Sequence, residues 1–234
     1  MTSDSIDIIN AFALLTNFVI LPALSYGSQL ALGALAVTLV YSVLRFSNFA
    51  QGDSMAFGTM IVILLTGFMI SRGWTISGIP TALLVIPIAI VFTSMYLLTM
   101  DRLIYRHYRK IKAKSITIVM SSIGVMFVTG GIVRFVLGAT AQKFEDGERF
   151  IFSVREFKAY TGLEQGIALK TSQFLTITIA FLLVAFVFYF LQKTKTGKAM
   201  RAYSDNKELA LLSGIDPDKM VQITWLLVAA LTTI

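Results

Sequence analysis

The chain has 234 residues, of which 56% are hydrophobic and only 14% are charged, and its formal net charge is +7. Soluble domains carry charge at roughly a quarter of their positions, so this composition excludes an ordinary soluble domain. The absence of cysteine excludes disulfides and thiolate metal sites.

Several apolar tracts reach the length of about 20 residues that crossing the bilayer core requires. Residues 6–24 contain polar side chains and either span the membrane or lie in its interface. Further spans are predicted at 25–44, 54–71, 79–100, 116–133 and 171–191, and another apolar helix begins at residue 220. The sequence therefore predicts an all-α, polytopic membrane protein with about six to seven membrane segments in a single transmembrane domain over residues 1–234.

The charged residues indicate which loops face the cytoplasm. Residues 101–114 contain six Arg or Lys against one Asp, and residues 193–219 are also basic. Basic loops are retained in the cytoplasm, whereas the mixed charges of residues 134–170 suit an external loop with a short strand near 149–154. Segment 101–114 is either a topology determinant or a contact for lipid headgroups. Because the basic residues lie between apolar tracts, we do not expect binding to nucleic acid.

A polar interruption at residues 45–53 separates two apolar helices. Its polar residues are Arg45, Asn48, Gln51 and Asp53, and Gly52 permits an unusual backbone conformation. Ionisable groups within membrane helices are functional candidates, and the broken helices of transporters present free backbone groups to polar substrates. The same residues also suit a cytoplasmic turn between two ordinary spans. Residue chemistry alone leaves a functional break and a turn open.

Residues 196–217 predict two short helices in the second basic loop. Asp205 with Glu208 forms a capping-box pattern for the second helix, and Gly214 suits the left-handed residue that ends it. Pro217 after Asp216 begins the next helix. Small and apolar side chains provide faces that fit a groove on a partner: Ala199, Ala202, Leu209, Ala210 and Leu212. The pattern favours a partner-binding element over a solvated linker.

Enzyme signatures are absent from the sequence. It contains no GxSxG, HExxH or GxxxxGK[ST] pattern and no nucleotide-binding glycine loop. The single histidine, His107, lies among cations without a neighbouring ligand or nucleophile. We therefore predict that the chain is not an enzyme and that any ATP hydrolysis occurs on other chains.

Two stretches of the chain carry a family pattern. The first is LALGALAVTLVY at residues 30–41, followed by Asn48, Phe49, Ala50, Gln51, Gly52 and Gly58. The second consists of Gly197, Ala199, Arg201, Ala202, Asn206, Ala210, Leu212, Gly214 and Ile215. Together they resemble the permease subunits of bacterial ABC importers for branched-chain amino acids, and the resemblance runs over essentially the whole chain.

The resemblance implies a permease in the bacterial inner membrane that moves a branched-chain amino acid or a similar small polar solute. Its implied partners are a second homologous permease, two ATPase subunits, a periplasmic solute-binding protein and membrane lipid. The chain itself needs no cofactor, since the ATPase subunits use ATP. The substrate pathway would include Asn48, Gln51, Gly52 and Asp53, which favours the broken helix. The ATPase-coupling residues would be Gly197, Ala199, Arg201, Ala202, Asn206, Ala210 and Gly214.

Two features depart from the family pattern. Family members continue beyond the last residue of this sequence, so we expect a fragment or a split subunit that lacks the C-terminal part of the domain. Arg45 also provides a charge where the pattern leads us to expect a neutral residue. The alternatives are a sugar-type ABC permease of the same superfamily, a membrane protein fragment without transport activity, and a membrane-embedded lipid enzyme, for which the sequence offers no cluster of His, Asp and Glu.

Overall fold

The computed structural model describes residues 3–74, 80–138, 140, 150–152, 159 and 167–234. Its helices are α1 (Ser3–Leu15), α2 (Leu21–Leu44), α3 (Gln51–Ser71), α4 (Thr81–Met100), α5 (Arg106–Lys110), α6 (Ser115–Leu137), α7 (Thr171–Lys193), α8 (Lys195–Asp205), α9 (Lys207–Leu212) and α10 (Pro217–Thr233). One small antiparallel sheet pairs β1 (Phe150–Phe152) with β2 (Leu169–Lys170). The prediction of an all-α membrane protein is confirmed, and β1 lies within the strand predicted at 149–154. Most of the predicted external loop lies outside the described residues.

Five helical stretches in the described part of the chain are long and apolar enough to cross a membrane: Ile9–Leu44, Gln51–Ser71, Thr81–Lys110, Ser115–Leu137 and Thr171–Lys193. The number expected from the sequence is higher because residues 6–24 and 25–44 were counted as separate segments. In the structure, a π-helical turn at Thr16–Ile20 joins α1 to α2 without a break. This turn precedes Pro22, whose missing N–H removes a regular helical hydrogen bond.

The basic segment at 101–114 is helical over most of its length, although the sequence predicted a loop. Helix α4 continues through a π-helical turn at Asp101–Tyr105 into α5, which ends at Lys110. Only residues 111–114 are non-helical, and Lys112 has a positive φ of 51°. The helix continues because the segment contains no glycine or proline, and charge alone does not end a helix.

Two compact units divide the chain. One comprises Met1–Leu32 with Gly147–Ala185, and in it the backbone N–H of Ala168 donates to the Asn17 side-chain oxygen at 3.3 Å. The other comprises Gly33–Asp146 with Phe186–Ile234, and it contains all the predicted site residues.

Helix α3 lies at the centre of the second unit, where it packs against α4, α6 and α10. The approach to α10 is close at Gly58, because a Cβ there would lie 3.1 Å from the Thr232 carbonyl oxygen. Many of the buried polar residues are small hydroxyls that bond to their own helix, as Thr233 does to the Ala229 carbonyl at 2.7 Å. Small residues and internally bonded hydroxyls allow helices to pack closely in a bilayer.

The caps of the second basic loop differ by one residue from the prediction. Helix α9 is capped by Asn206, whose side-chain oxygen accepts from the N–H groups of Glu208 and Leu209, and not by Asp205. Asp205 is instead the last residue of α8. The predictions for the following turn are confirmed: Gly214 has a φ of +79°, and Asp216 caps α10 with Pro217 as its first residue.

Candidate functional site

The polar interruption is shorter than the sequence suggested. Helix α2 ends at Leu44, residues 45–50 are non-helical, and Gln51, Gly52 and Asp53 occupy the first turn of α3. Arg45 has a φ of +60°, a left-handed conformation that often ends helices but is usually adopted by glycine. The interruption is therefore a sharp break that follows immediately after α2.

Two side chains accept hydrogen bonds from the backbone N–H groups of this break, one from α6 and one from the break itself. The Phe49 N–H donates to Ser122 Oγ of α6 at 3.1 Å. Asn48 Oδ1 accepts from the Ala50 N–H at 3.2 Å and from the Tyr105 hydroxyl at 3.1 Å. Asn48 is only 8% exposed. Non-helical backbone is tolerated within a membrane protein where the surrounding protein supplies such partners.

Gln51 is buried without a hydrogen-bond partner in the described part of the chain. It is 3% exposed, and both Nε2 and Oε1 lack a partner there. Burying an amide without hydrogen bonds is costly, by about 1–3 kcal/mol on mutational scales. Such a group is a candidate for contact with a ligand.

The other two predicted pathway residues lie on the same turn. Gly52 is exposed, and Asp53 is half-buried. A Cβ on Gly130 would lie only 2.8 Å from Asp53 Oδ1, so the glycine of α6 leaves room for this carboxylate. No ion pair within 4 Å joins Asp53 to a cation among the described residues. Among the described residues, this turn thus has one amide without a hydrogen-bond partner and one carboxylate without an ion pair.

A buried carboxylate, Asp101, connects the basic segment to α10. Asp101 is 4% exposed and accepts two hydrogen bonds from the Arg109 guanidinium, at 2.6 and 2.8 Å. Trp225 Nε1 of α10 donates to Asp101 Oδ1 at 2.8 Å. Paired donors from a guanidinium and a third donor from the indole compensate the desolvation of the carboxylate.

An aromatic stack joins this ion pair to the break. The Tyr105 ring lies 5.1 Å from that of Phe46 and 5.8 Å from that of Trp225. All three rings are buried, and the Tyr105 hydroxyl bonds to Asn48. The break, the basic segment and α10 therefore share one packed cluster.

Helix α8 of the predicted coupling loop is also tied to the break. The Arg45 guanidinium donates to the Ser204 carbonyl, and Ser204 Oγ donates to the Ser42 carbonyl at 2.8 Å. Arg106 forms an ion pair with Asp218 of α10 at 2.6 Å. The charge of Arg45, unexpected from the family pattern, thus has a contact of its own.

The predicted coupling residues fall into two groups. The exposed members are Arg201, Ala202, Asn206 and Gly214, whereas Gly197 and Ala210 are buried and Ala199 is half-buried. A Cβ on Gly197 would lie 2.1 Å from the Phe190 carbonyl oxygen, so this glycine permits contact between α8 and α7. Beside the exposed group lies Leu212, which is 85% exposed.

Three cationic side chains, Arg45, Arg109 and Lys207, lie close enough to affect one another between the break and α9. Burial lowers the pKa of Lys207, and the charges of Arg45 and Arg109 lower it further. Its ammonium lies 5.5 Å from the centre of the Tyr203 ring. Burial also raises the pKa of the Tyr203 hydroxyl, with Arg109 opposing the shift and Asp218 adding to it. Among the described residues, no three His, Asp or Glu side chains cluster as metal ligands would.

A family model described as the permease component of branched-chain amino acid transport systems matches residues 19–234. The chain belongs to this family. The high-affinity branched-chain amino acid transport system permease protein LivH of Salmonella typhimurium is 26% identical over 215 residues, which cover 89% of this chain and 65% of LivH. BraD of Pseudomonas aeruginosa is 23% identical over 90% of this chain and 66% of its own length. A protein named as a probable LivH of Methanocaldococcus jannaschii is 29% identical over 89% of this chain and 61% of its own length.

The chain spans 61–66% of the length of these three relatives. No solved structure matches the chain significantly. The family is named as a permease component, and this agrees with the prediction of a transport protein that is not an enzyme.

In this member of the permease family, sequence reasoning missed the cluster around Asp101. In the sequence, Asp101 is one charge in a basic segment, and Trp225 is part of the apolar tract that begins at residue 220. One signal was available, since a lone acid at the junction of an apolar helix and a basic segment needs a partner when it is buried. The partner in α10 is more than a hundred residues away in sequence, which no local pattern reveals.

Proposed function

We propose that the chain is the membrane-spanning permease subunit of an ABC importer in the bacterial inner membrane. It moves a branched-chain amino acid or a similar small polar solute, and ATPase subunits on other chains drive the movement. The observation that carries this proposal is the family match over residues 19–234. The branched-chain amino acid transport named for the relatives LivH and BraD supports the choice of solute.

The first turn of α3 contributes to the solute pathway in this proposal. Gln51 supports it because its buried amide has no partner among the described residues. A polar solute that passes this turn provides the missing hydrogen bonds. Asn48 has a different role, since its side-chain oxygen already bonds to Ala50 and Tyr105. It stabilises the backbone conformation of the break.

Helices α8 and α9 form the surface that contacts an ATPase subunit. The exposed coupling residues and the exposed Leu212 support this part of the proposal. The hydrogen bonds from Arg45 to the Ser204 carbonyl and from Ser204 Oγ to the Ser42 carbonyl connect that surface to the end of α2 and the break. Movement of α8 by a partner would therefore be transmitted to the N-terminal end of α3. A second homologous permease and a solute-binding protein complete the complex.

The test uses the complete importer in liposomes, with the binding protein outside and ATP inside. We expect Gln51→Leu to lower uptake of a branched-chain amino acid by about tenfold, the cost of one lost hydrogen bond in the pathway. The ATPase subunits should still co-purify with this variant. Gln192→Leu, the same change at an exposed position at the end of α7, should leave uptake unchanged.

The coupling surface is tested with Leu212→Ala in the same complex. We expect weaker co-purification of the ATPase subunits, whereas Leu103→Ala, at another exposed leucine, should have no effect. Normal uptake with Gln51→Leu would refute the role of Gln51. Absence of amino acid uptake by the wild-type complex would refute the proposed function itself.

A further inference from the structure

A recess in the second unit lies where two apolar helices end. It has a volume of about 410 Å³ and is bounded by the last two turns of α2, the last turn of α7 and one side of α8. We refer to it as the α8 recess. Its lining residues are Leu39, Ser42, Val43, Leu191, Lys198, Met200, Arg201, Ala202, Ser204 and Asp205. Its volume is in the range of small-molecule sites, about 300–1,000 Å³.

The α8 recess has an apolar wall and a basic rim. Leu39, Val43 and Leu191 come from α2 and α7, both of which belong to stretches long enough to cross a membrane. Lys198 and Arg201 are exposed and lie three residues apart, so they share one side of α8. Asp205 also lines the recess, but no ion pair within 4 Å joins it to either cation in the described part of the chain. The two cations are therefore available to an anion.

The geometry of the α8 recess is fixed by contacts at both ends of α8. At its start, Gly197 packs against the α7 backbone, and the Thr194 side chain caps the helix by accepting from the Gly197 N–H at 2.9 Å. Near its end, Ser204 bonds to the Ser42 carbonyl of α2. Helix α8 is thus braced against both apolar helices, and its basic side is held beside their ends.

We propose that the α8 recess binds the headgroup of an anionic phospholipid. The recess lies at the ends of two membrane-crossing helices, which is the depth at which headgroups meet the protein. Its basic rim matches a phosphate, and its apolar wall matches the glycerol and the upper acyl chains. This proposal requires only that α2 and α7 cross the membrane, so it does not depend on the transported solute. Arg201 also belongs to the surface proposed for the ATPase subunit, so lipid binding is measured on the chain without that subunit.

The test measures lipid binding to the full chain in a non-ionic detergent by native mass spectrometry. The probes are phosphatidylglycerol, phosphatidylcholine with the same acyl chains, and inorganic phosphate. We expect the chain to prefer phosphatidylglycerol. The double variant Lys198→Gln/Arg201→Gln should bind it on the order of tenfold more weakly. The matched control is Arg72→Gln/Lys219→Gln, which removes one exposed arginine and one exposed lysine outside the recess and should bind phosphatidylglycerol as the wild type does.

Three outcomes would overturn the proposal. Equal losses in both double variants would indicate a general attraction to basic surfaces. Equal binding of the two lipids would exclude recognition of the headgroup charge. Displacement of the lipid by inorganic phosphate at the same concentration would indicate a simple anion site. As a second measurement on the wild-type chain, a photoactivatable phosphatidylglycerol should label peptides from the end of α7 and from α8, and labelling confined to other helices would refute the assignment.

Discussion

At the scale of single residues, Asp101 shows how this protein buries a charge. Its carboxylate receives two hydrogen bonds from Arg109 and one from Trp225. Removing one partner of a buried ion pair leaves a charge without compensation, which costs more than the pair contributes when intact. The two donors should therefore differ in importance, because only Arg109 balances the charge.

We expect Arg109→Met to destabilise the protein by about 3–5 kcal/mol, since it leaves the Asp101 carboxylate unpaired. Trp225→Phe keeps the aromatic stack and removes one hydrogen bond to a charged group, so about 1.5–3 kcal/mol is expected. Chemical unfolding of the purified protein in detergent measures both values. Arg102→Met is the matched control, because Arg102 is exposed on the same helical stretch. If Arg109→Met and Arg102→Met are equally stable, the ion pair does not have this role.

At the scale of elements, the sequence predicted the long helices well and their ends less well. Apolar length alone identified α3, α4, α6 and α7, because the bilayer sets a minimum span. The ends depend on single contacts. Arg45 ends α2 although it is not glycine, and Asn206 caps α9 although Asp205 offered a capping box with Glu208. Neighbouring Asp and Asn are both good caps, so the choice between them depended on where α8 ended.

For the candidate site, as for the helices, the sequence identified the residues better than their contacts. The sequence singled out Asn48, Gln51, Gly52 and Asp53 because polar residues are rare between apolar helices. It did not predict that Asn48 bonds to Tyr105 while Gln51 lacks a partner among the described residues. That difference arises from packing between helices distant in sequence. The same holds for Gly197, which the family pattern assigned to coupling and which lies buried against α7.

The contact at Gly197 gives a prediction for the junction of α7 and α8. A Cβ at this position would overlap the α7 backbone, so Gly197→Ala must displace α8. We expect a loss of about 1–3 kcal/mol, the usual cost of overpacking, measured by unfolding in detergent. Gly67→Ala is the matched control, since no atom lies within 4 Å of a Cβ there. Equal stability of the two variants would show that the junction is not tightly packed.

At the scale of the whole molecule, the polar contacts of the second unit concentrate at one end of its helices. The break, the basic segment and α10 are joined there by the contacts of Asp101 and Tyr105 and by the Arg106–Asp218 pair, and α8 is joined to the break by the hydrogen bond from Arg45 to the Ser204 carbonyl. Helix α3 leads away from this end for 21 residues, about 30 Å. That length matches the hydrocarbon core of a bilayer, so its last residue should reach the other side.

Single cysteines can test this orientation, because the chain has no cysteine of its own. We expect Lys112→Cys and Ser213→Cys to react with a membrane-impermeant maleimide only in inside-out vesicles. Ser71→Cys, at the end of α3, should react only in right-side-out vesicles. All three positions are exposed. Labelling of Ser71→Cys and Ser213→Cys from the same side would contradict the arrangement.

The stack of Tyr105 on Trp225 has a consequence for how this protein can be observed. The chain contains only two tryptophans. Trp225 is 1% exposed and hydrogen-bonded to Asp101, whereas Trp74, after the far end of α3, is 63% exposed. A soluble fluorescence quencher therefore reaches Trp74 and leaves the emission of Trp225. The residual emission therefore comes from Trp225 beside Tyr105 and Asp101. A change in this emission would reveal movement at that end of the helices.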